Sequence, residues 1–229
     1  MSLWVIADTH LSFGVSKPMD IFGGWSNYVE KIESNWRELV SLQDAVVIAG
    51  DISWGMTLDE ALPDLRFLDA LPGRKIILKG NHDYWWVTKT KMDNFLKANG
   101  ITSVSFLFNN AYREGDITVF GTRGWFYDAH GEHDEKVIAR EAGRLRLSYD
   151  AALKLGGEAV AFMHYPPVYA GRECPEMMNA LLETGVKRCY YGHLHGRKNH
   201  GLAVTGLYKG IDFRLISCDY TQFKPIPVG

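Results

Sequence analysis

Five short apolar runs, each followed within two residues by an acid, a histidine or a glycine, constrain this chain more than any other feature. They occupy residues 3–7, 45–49, 75–78, 159–163 and 189–191. Apolar runs this short, bounded by polar turns, read as buried strands. Helical patterns lie between several of them. Tyr28, Ile32, Trp36 and Val40 repeat every four residues within 26–42. A second helix follows Thr57-x-x-Glu60, a capping box, with Pro63 expected to kink it or delay its start. A third covers 87–98 and stops at Asn99-Gly100. Beyond Thr102 the runs 104–108 and 112–121 predict consecutive strands with a turn at Glu114-Gly115-Asp116. One long or broken helix is expected over 132–155, and strands over 202–207 and 211–218. Alternating strands and helices place the chain in the α/β class. With 229 residues and no linker or repeat, a single domain over 1–229 is expected.

The chemistry sits where the strands end. Asp8-x-His10 follows the first run, Gly50-Asp51 the second and Gly80-Asn81-His82-Asp83 the third. His164 closes the fourth, and Gly192-His193-x-His195 the fifth. In open α/β sheets, ligands bind beyond the carboxyl ends of the strands, so five such ends can converge on one spot. Singly these motifs are weak: Gly-Asp is a common turn, and a lone His164 is more often a core histidine. As a set in this order, chance explains them poorly.

Composition narrows the partners. Hydrophobic residues make up 46% and charged residues 23%, and the net charge of −2 gives no general attraction to nucleic acid or anionic membrane. A local basic cleft stays compatible with these values. Cys174, Cys189 and Cys218 are widely spaced, which suits buried thiols in a reducing compartment. The run at 3–7 is too short for a signal segment and no run reaches membrane-spanning length, so the expected location is the cytoplasm.

The order Asp-x-His, Gly-Asp, Gly-Asn-His-Asp, His, Gly-His-x-His resembles the calcineurin-like metallophosphoesterase family over residues 8–195. The resemblance implies a two-sheet β-sandwich flanked by helices in four layers. It implies two divalent metal ions: Asp8, His10, Asp51 and His195 hold one, and Asp51 bridges to a second completed by Asn81, His164 and His193. His82 matches the family histidine that contacts the substrate phosphate and assists the leaving group. Oxygen and imidazole donors without thiolate suit Mn²⁺ first, with Fe or Zn²⁺ as alternatives. A shared carboxylate holds two cations close, and a water between them is the expected nucleophile. The expected reaction is hydrolysis of a small-molecule phosphomonoester or phosphodiester.

Departures from the pattern refine this expectation. The protein phosphatases of the family carry arginines after Gly-Asp and before Gly-Asn-His. Here Ile52-Ser53-Trp54-Gly55-Met56 and Lys79 stand at those places, which is closer to the small bacterial phosphohydrolases. Arg123, in a glycine-flanked turn, is a candidate phosphate clamp, with a solvated turn arginine as the alternative. Tyr165-Pro166-Pro167 reads as a loop-fixing segment. Trp54, Trp85, Trp86 and Trp125 lie near the motifs, either as an apolar wall beside the metals or as loop packing. His130 and His133 offer a third metal site or a solvated segment, and His200 gets no role. Two competing functions are a metal-dependent nuclease, which needs a basic groove, and a non-catalytic scaffold, which fits poorly with a full ligand set.

Overall fold

Two sheets lie face to face because their strands are apolar on both sides and need cover on both sides. The computed structural model describes residues 1–126 and 132–229, the side chains of 132 and 133 excepted. Its first half is β1 (Leu3–Ile6), α1 (Tyr28–Leu39), β2 (Ala45–Ala49), α2 (Leu58–Ala70), β3 (Arg74–Leu78), α3 (Lys89–Ala98) and β4 (Val104–Phe106). The second half opens with the hairpin β5 (Tyr112–Glu114) and β6 (Ile117–Thr122), then α4 (Glu132–Leu155) and β7 (Glu158–Met163). A small hairpin, β8 (Val168–Tyr169) and β9 (Arg172–Glu173), precedes α5 (Pro175–Glu183) and β10 (Arg188–Tyr191). The chain closes with α6 (Gly196–His200), β11 (Gly206–Tyr208), β12 (Ile211–Leu215) and β13 (Ile226–Pro227).

One sheet runs β13-β1-β2-β3-β4 and the other β11-β12-β10-β7-β6-β5. Strands β1 to β4 are mutually parallel, as are β6, β7, β10 and β12. Strands β13, β11 and β5 add antiparallel edges. Between the sheets lie Val5, Val47, Ile76 and Leu78 from one and Val119, Val160, Phe162 and Tyr190 from the other. Outside the first sheet, α1 buries Tyr28, Ile32 and Trp36, three of the four residues that define its period. Outside the second, α4 and α5 bury Ile138, Leu145, Met177 and Leu181 against β7 and β10. The result is the four-layer α/β sandwich that the resemblance implies.

Several local expectations meet a different outcome. Helix α2 starts at Leu58, undelayed by Pro63, which sits inside it on the exposed face. The Thr57 hydroxyl accepts from the Glu60 N–H, and Ala61, Leu65 and Leu68 are fully buried, so packing offsets the hydrogen bond that proline cannot donate. The strand expected over 202–207 begins only at Gly206, because residues 196–200 form α6. Helix α4 is one continuous element. All three cysteines are free and buried. Among the described residues no helix is long and apolar enough to cross a membrane. His130 and the side chain of His133 lie outside the described residues, and with them the third-metal reading.

Candidate metal centre

Parallel strands bring their carboxyl ends to one edge, and the two sheets are stitched together there. The Ala7 N–H donates to the Ile216 carbonyl at 2.9 Å, and the Cys218 N–H to the Ala7 carbonyl at 3.1 Å. The turns leaving β1, β2, β3, β7 and β10 therefore meet across the sandwich. Glycines allow their close approach. A Cβ on Gly80 would stand 2.0 Å from Asp51 Oδ1, and one on Gly192 would stand 2.7 Å from Asp8 Oδ2. Asp8, His10, Asp51 and His193 all have left-handed backbones, with φ of 60°, 44°, 52° and 72°. Such conformations cost on the order of 1–3 kcal/mol each and persist where surrounding structure over-determines them, often at functional sites. Here the Asp8 N–H is fixed by the Gly50 carbonyl, that of His10 by the Asp51 carbonyl, and that of His193 by the Asp8 carboxylate.

Two groups of side chains result. Asp8, His10 and His195 present one potential ligand atom each, all within 4.8 Å of one another, and so do Asp51, His164 and His193. Asp51 lies between the groups, with Oδ2 3.7 Å from His10 Nε2 and 3.5 Å from His164 Nε2. Asn81 joins the second group: its Oδ1 is 2.7 Å from His164 Nε2 and 3.0 Å from His193 Nδ1. All seven side chains singled out as ligands from the sequence are thus brought to one place. His82 borders them. Its backbone N–H donates to Asp51 Oδ1 at 2.8 Å, and its buried Nδ1 has no hydrogen-bond partner.

The electrostatics suit cations. Burial pushes the carboxyl pKa values of both Asp8 and Asp51 upward, and each is surrounded by imidazoles. Burial also keeps His10 and His164 neutral, His164 at about 3, which is the form that offers a lone pair. The His164 Nδ1 lies 3.1 Å from the Ala49 carbonyl, a pure acceptor, so Nδ1 carries the proton and Nε2 faces the cluster. His195 differs: burial works against its charge, but Asp8 and Asp219 outweigh that and hold its pKa at about 9. Buried and half-buried acids and imidazoles, with donor atoms converging and no thiolate among them, fit divalent metal ions of the Mn, Fe or Zn type.

The surroundings of several neighbouring residues decide between the alternatives left by the sequence. Asp83, next to His82 in the sequence, accepts the backbone N–H groups of Asp51, Ile52, Ser53 and Gly80 and the Trp85 indole N–H. Its job is to tie the turn after β2 to the turn after β3. Arg123 points to Glu141 at 3.3 Å and lies 4.7 Å over the Trp125 ring. Tyr165 is buried against His193, with ring centroids 4.1 Å apart. Trp85 and Trp86 pack with Phe106, whereas Trp54 stacks on His10 at 5.0 Å. Of the four tryptophans near the motifs, Trp54 is the one that borders the centre.

Sequence reasoning missed two residues. Asp219 accepts from His195 at Nδ1, 3.0 Å away, and from the Gly196 N–H at 2.8 Å. It also lies 3.3 Å from His200, which thereby gains a partner. An acid soon after the β12 run was the same signal used for the other strand ends, and could have found it. Trp25, edge-on to both His10 and His195, carried no comparable signal.

The fold and its edge cluster define a phosphoesterase scaffold, and a family comparison agrees. Residues 1–197 match the calcineurin-like phosphoesterase family, and the chain belongs to that family. No match to a curated protein was found. Among solved structures, the phosphopantetheinyl hydrolase of Mycobacterium tuberculosis is similar, at 18% identity and a TM-score of 0.55, covering 99% of this chain and 95% of that one. A protein of unknown function from Aquifex aeolicus is similar to the same degree, at 15% identity and a TM-score of 0.55, with 99% and 95% covered. At these identities the likeness is one of fold.

Proposed function

We propose that this phosphoesterase-family protein holds two divalent metal ions and hydrolyses esters of phosphate with small organic alcohols. The observation that carries the reading is the placement of Asp51 within 3.7 Å of one ligand group and 3.5 Å of the other. One carboxylate there would serve both ions and offset their repulsion. Bound ions supply an activated water and positive charge for the phosphate oxygens. The protein's own contributions follow from geometry. Asp83 and the left-handed turns hold Asp51 rigid, which keeps the two ligand groups in register. Ala49 and Asp219 fix the tautomers of His164 and His195. His82, whose ring borders the cluster and is bound to no other side chain through Nδ1, hands a proton to the departing alcohol oxygen. The missing arginines and the absence of a basic surplus support small esters over phosphoproteins and nucleic acid.

The test combines metal analysis with a panel of esters: bis-p-nitrophenyl phosphate, p-nitrophenyl phosphate, an alkyl phosphate, a phosphopantetheine ester and a phosphopeptide. Two Mn²⁺ per chain and turnover of the small esters are expected. His82→Asn should retain both ions and slow the alkyl ester far more than the p-nitrophenyl ester, since a general acid contributes about 10²–10⁴-fold and matters most for a poor leaving group. One ion or none per chain, or preference for the phosphopeptide, overturns the reading.

A further inference from the structure

The hydrolase reading places phosphate at the Asp51 turn and leaves the organic half of the ester unassigned. Beside the ligand cluster opens a cavity of about 450 Å³, within the size range of small-molecule sites. Its floor includes His82 and His195, so it is continuous with the metal centre. Its walls come from residues that carry no ligand: Met19, Phe22 and Trp25 from the segment between β1 and α1, and Trp54 from the turn after β2.

The walls combine rigidity with exposed apolar surface. Trp25 is buried and wedged edge-on among His10, Tyr28, His195 and Phe223. Trp54 is held between the His10 ring and the His82 ring, the latter at 4.4 Å. Phe22, by contrast, is 53% exposed, and the adjacent Ile21, 77% exposed, lines a neighbouring hollow that shares Met19, Phe22 and Trp54 with the cleft. Apolar side chains grouped at the lip of a catalytic cleft gain free energy when an apolar ligand covers them.

The rest of the lining adds little charge to that of the metal centre. Among the described residues, Asp219 is the one charged residue lining the cavity apart from the histidines, and its carboxylate is committed to His195 and Gly196. Among the described residues no lysine or arginine lines it. Lys17, which lines the neighbouring hollow, lies 5.4 Å over the Trp54 ring. Beyond the metal centre and its histidines, a second phosphate on the substrate would therefore meet the Asp219 carboxylate and no lysine or arginine among the described residues.

Building on the hydrolase reading, we infer that the Met19–Phe22–Trp25–Trp54 cleft binds the organic group of the phosphate ester, and that this group is uncharged and apolar, of aryl type. The flat indole and phenyl surfaces suit a ring, which aromatic side chains meet edge-on or offset. The position of His82 in the floor puts the group on the leaving-oxygen side.

The experiment uses the Mn²⁺-loaded full chain and two monoesters, 1-naphthyl phosphate and glycerol 2-phosphate, together with 1-naphthol, which carries no phosphate. Phe22→Ser should lower kcat/KM for the naphthyl ester about tenfold more than for the glycerol ester, in the range a hydrophobic pocket contributes. Calorimetry should show one 1-naphthol bound per chain, weakened about tenfold by Phe22→Ser. Gly23→Glu, at a lining position where an added Cβ meets nothing within 4 Å, should weaken it similarly by bringing a carboxylate into the cleft. Metal content should be unchanged in both variants. An unaltered ester ratio, with 1-naphthol binding absent or insensitive to both variants, overturns the inference. If neither ester is hydrolysed, the hydrolase reading fails, and 1-naphthol binding still decides what the cleft accepts.

Discussion

Replacing Gly80 with alanine tests how the turns assemble the centre. An added Cβ would stand 2.0 Å from Asp51 Oδ1, 2.2 Å from its backbone nitrogen and 2.7 Å from its Cγ. Ordinary contact needs more than 3 Å, so Asp51 must retreat by roughly 1 Å or the β3 turn must swing away from it. The backbone there has little freedom, because the Gly80 and Asp51 N–H groups share the Asp83 carboxylate, at 2.7 and 3.0 Å. Overpacking of this kind costs about 1–3 kcal/mol, which a domain of this size can survive. The functional cost is larger, since a misplacement of about 1 Å typically lowers rates on the order of 100-fold. Gly80→Ala should therefore fold with a lowered urea midpoint, bind Mn²⁺ more weakly at both positions, and lose about 100-fold in kcat on p-nitrophenyl phosphate. Gly143→Ala is the control: it lies within α4, its added Cβ meets nothing within 4 Å, and it should gain about 0.5–1 kcal/mol through helix propensity. A Gly80→Ala protein with two tightly bound ions and normal kcat would refute the argument that this close approach positions Asp51.

Other changes probe separate parts of the structure. Asp219→Asn keeps the shape but weakens the acceptor that fixes His195, so Mn²⁺ affinity measured by calorimetry should fall about 10–100-fold, and unchanged affinity would remove the positioning role. Arg123→Ala should raise KM if the guanidinium leaves Glu141 to clamp phosphate; a lower melting temperature with unchanged kinetics assigns it instead to the Glu141–Trp125 packing. Lys75 is fully buried, and burial lowers its pKa from 10.5 to about 8 against the pull of Asp69. The unfolded chain therefore binds more protons between those values, and stability should rise as pH climbs from about 8 to 10.5, by up to about 3 kcal/mol at 1.36 kcal/mol per unit. Urea titrations of wild type and Lys75→Met at pH 7.5 and 10 check this, and equal pH slopes in the two proteins would contradict it.

The strands and helices that carry the site were legible because their signals are local. Runs such as 45–49 are apolar throughout, and Tyr28, Ile32 and Trp36 mark the buried face of α1 without reference to anything distant. The candidate ligand side chains were legible for a similar reason: each follows its own strand, and the order of the motifs resembles one family. Where a local rule met a tertiary opponent, the rule lost. Pro63 stands within α2 because Ala61, Leu65 and Leu68 pack beneath it.

What lies between segments distant in the chain was decided by the tertiary structure alone. Asp83 is next to His82 in sequence, yet its carboxylate turns to the backbone of residues 51–53, since buried N–H groups need acceptors more than an imidazole needs an orienting partner. Arg123 follows a strand end as the ligands do, yet its guanidinium meets Glu141 from α4, a partner 18 residues away that no spacing rule indicates. Trp25 and Asp219 come from opposite ends of the chain and touch the same histidine, His195. Composition and pattern record which residues a chain owns and which face of an element is apolar. Which side chains share a cavity depends on how two sheets align, and that follows from packing summed over the whole sandwich.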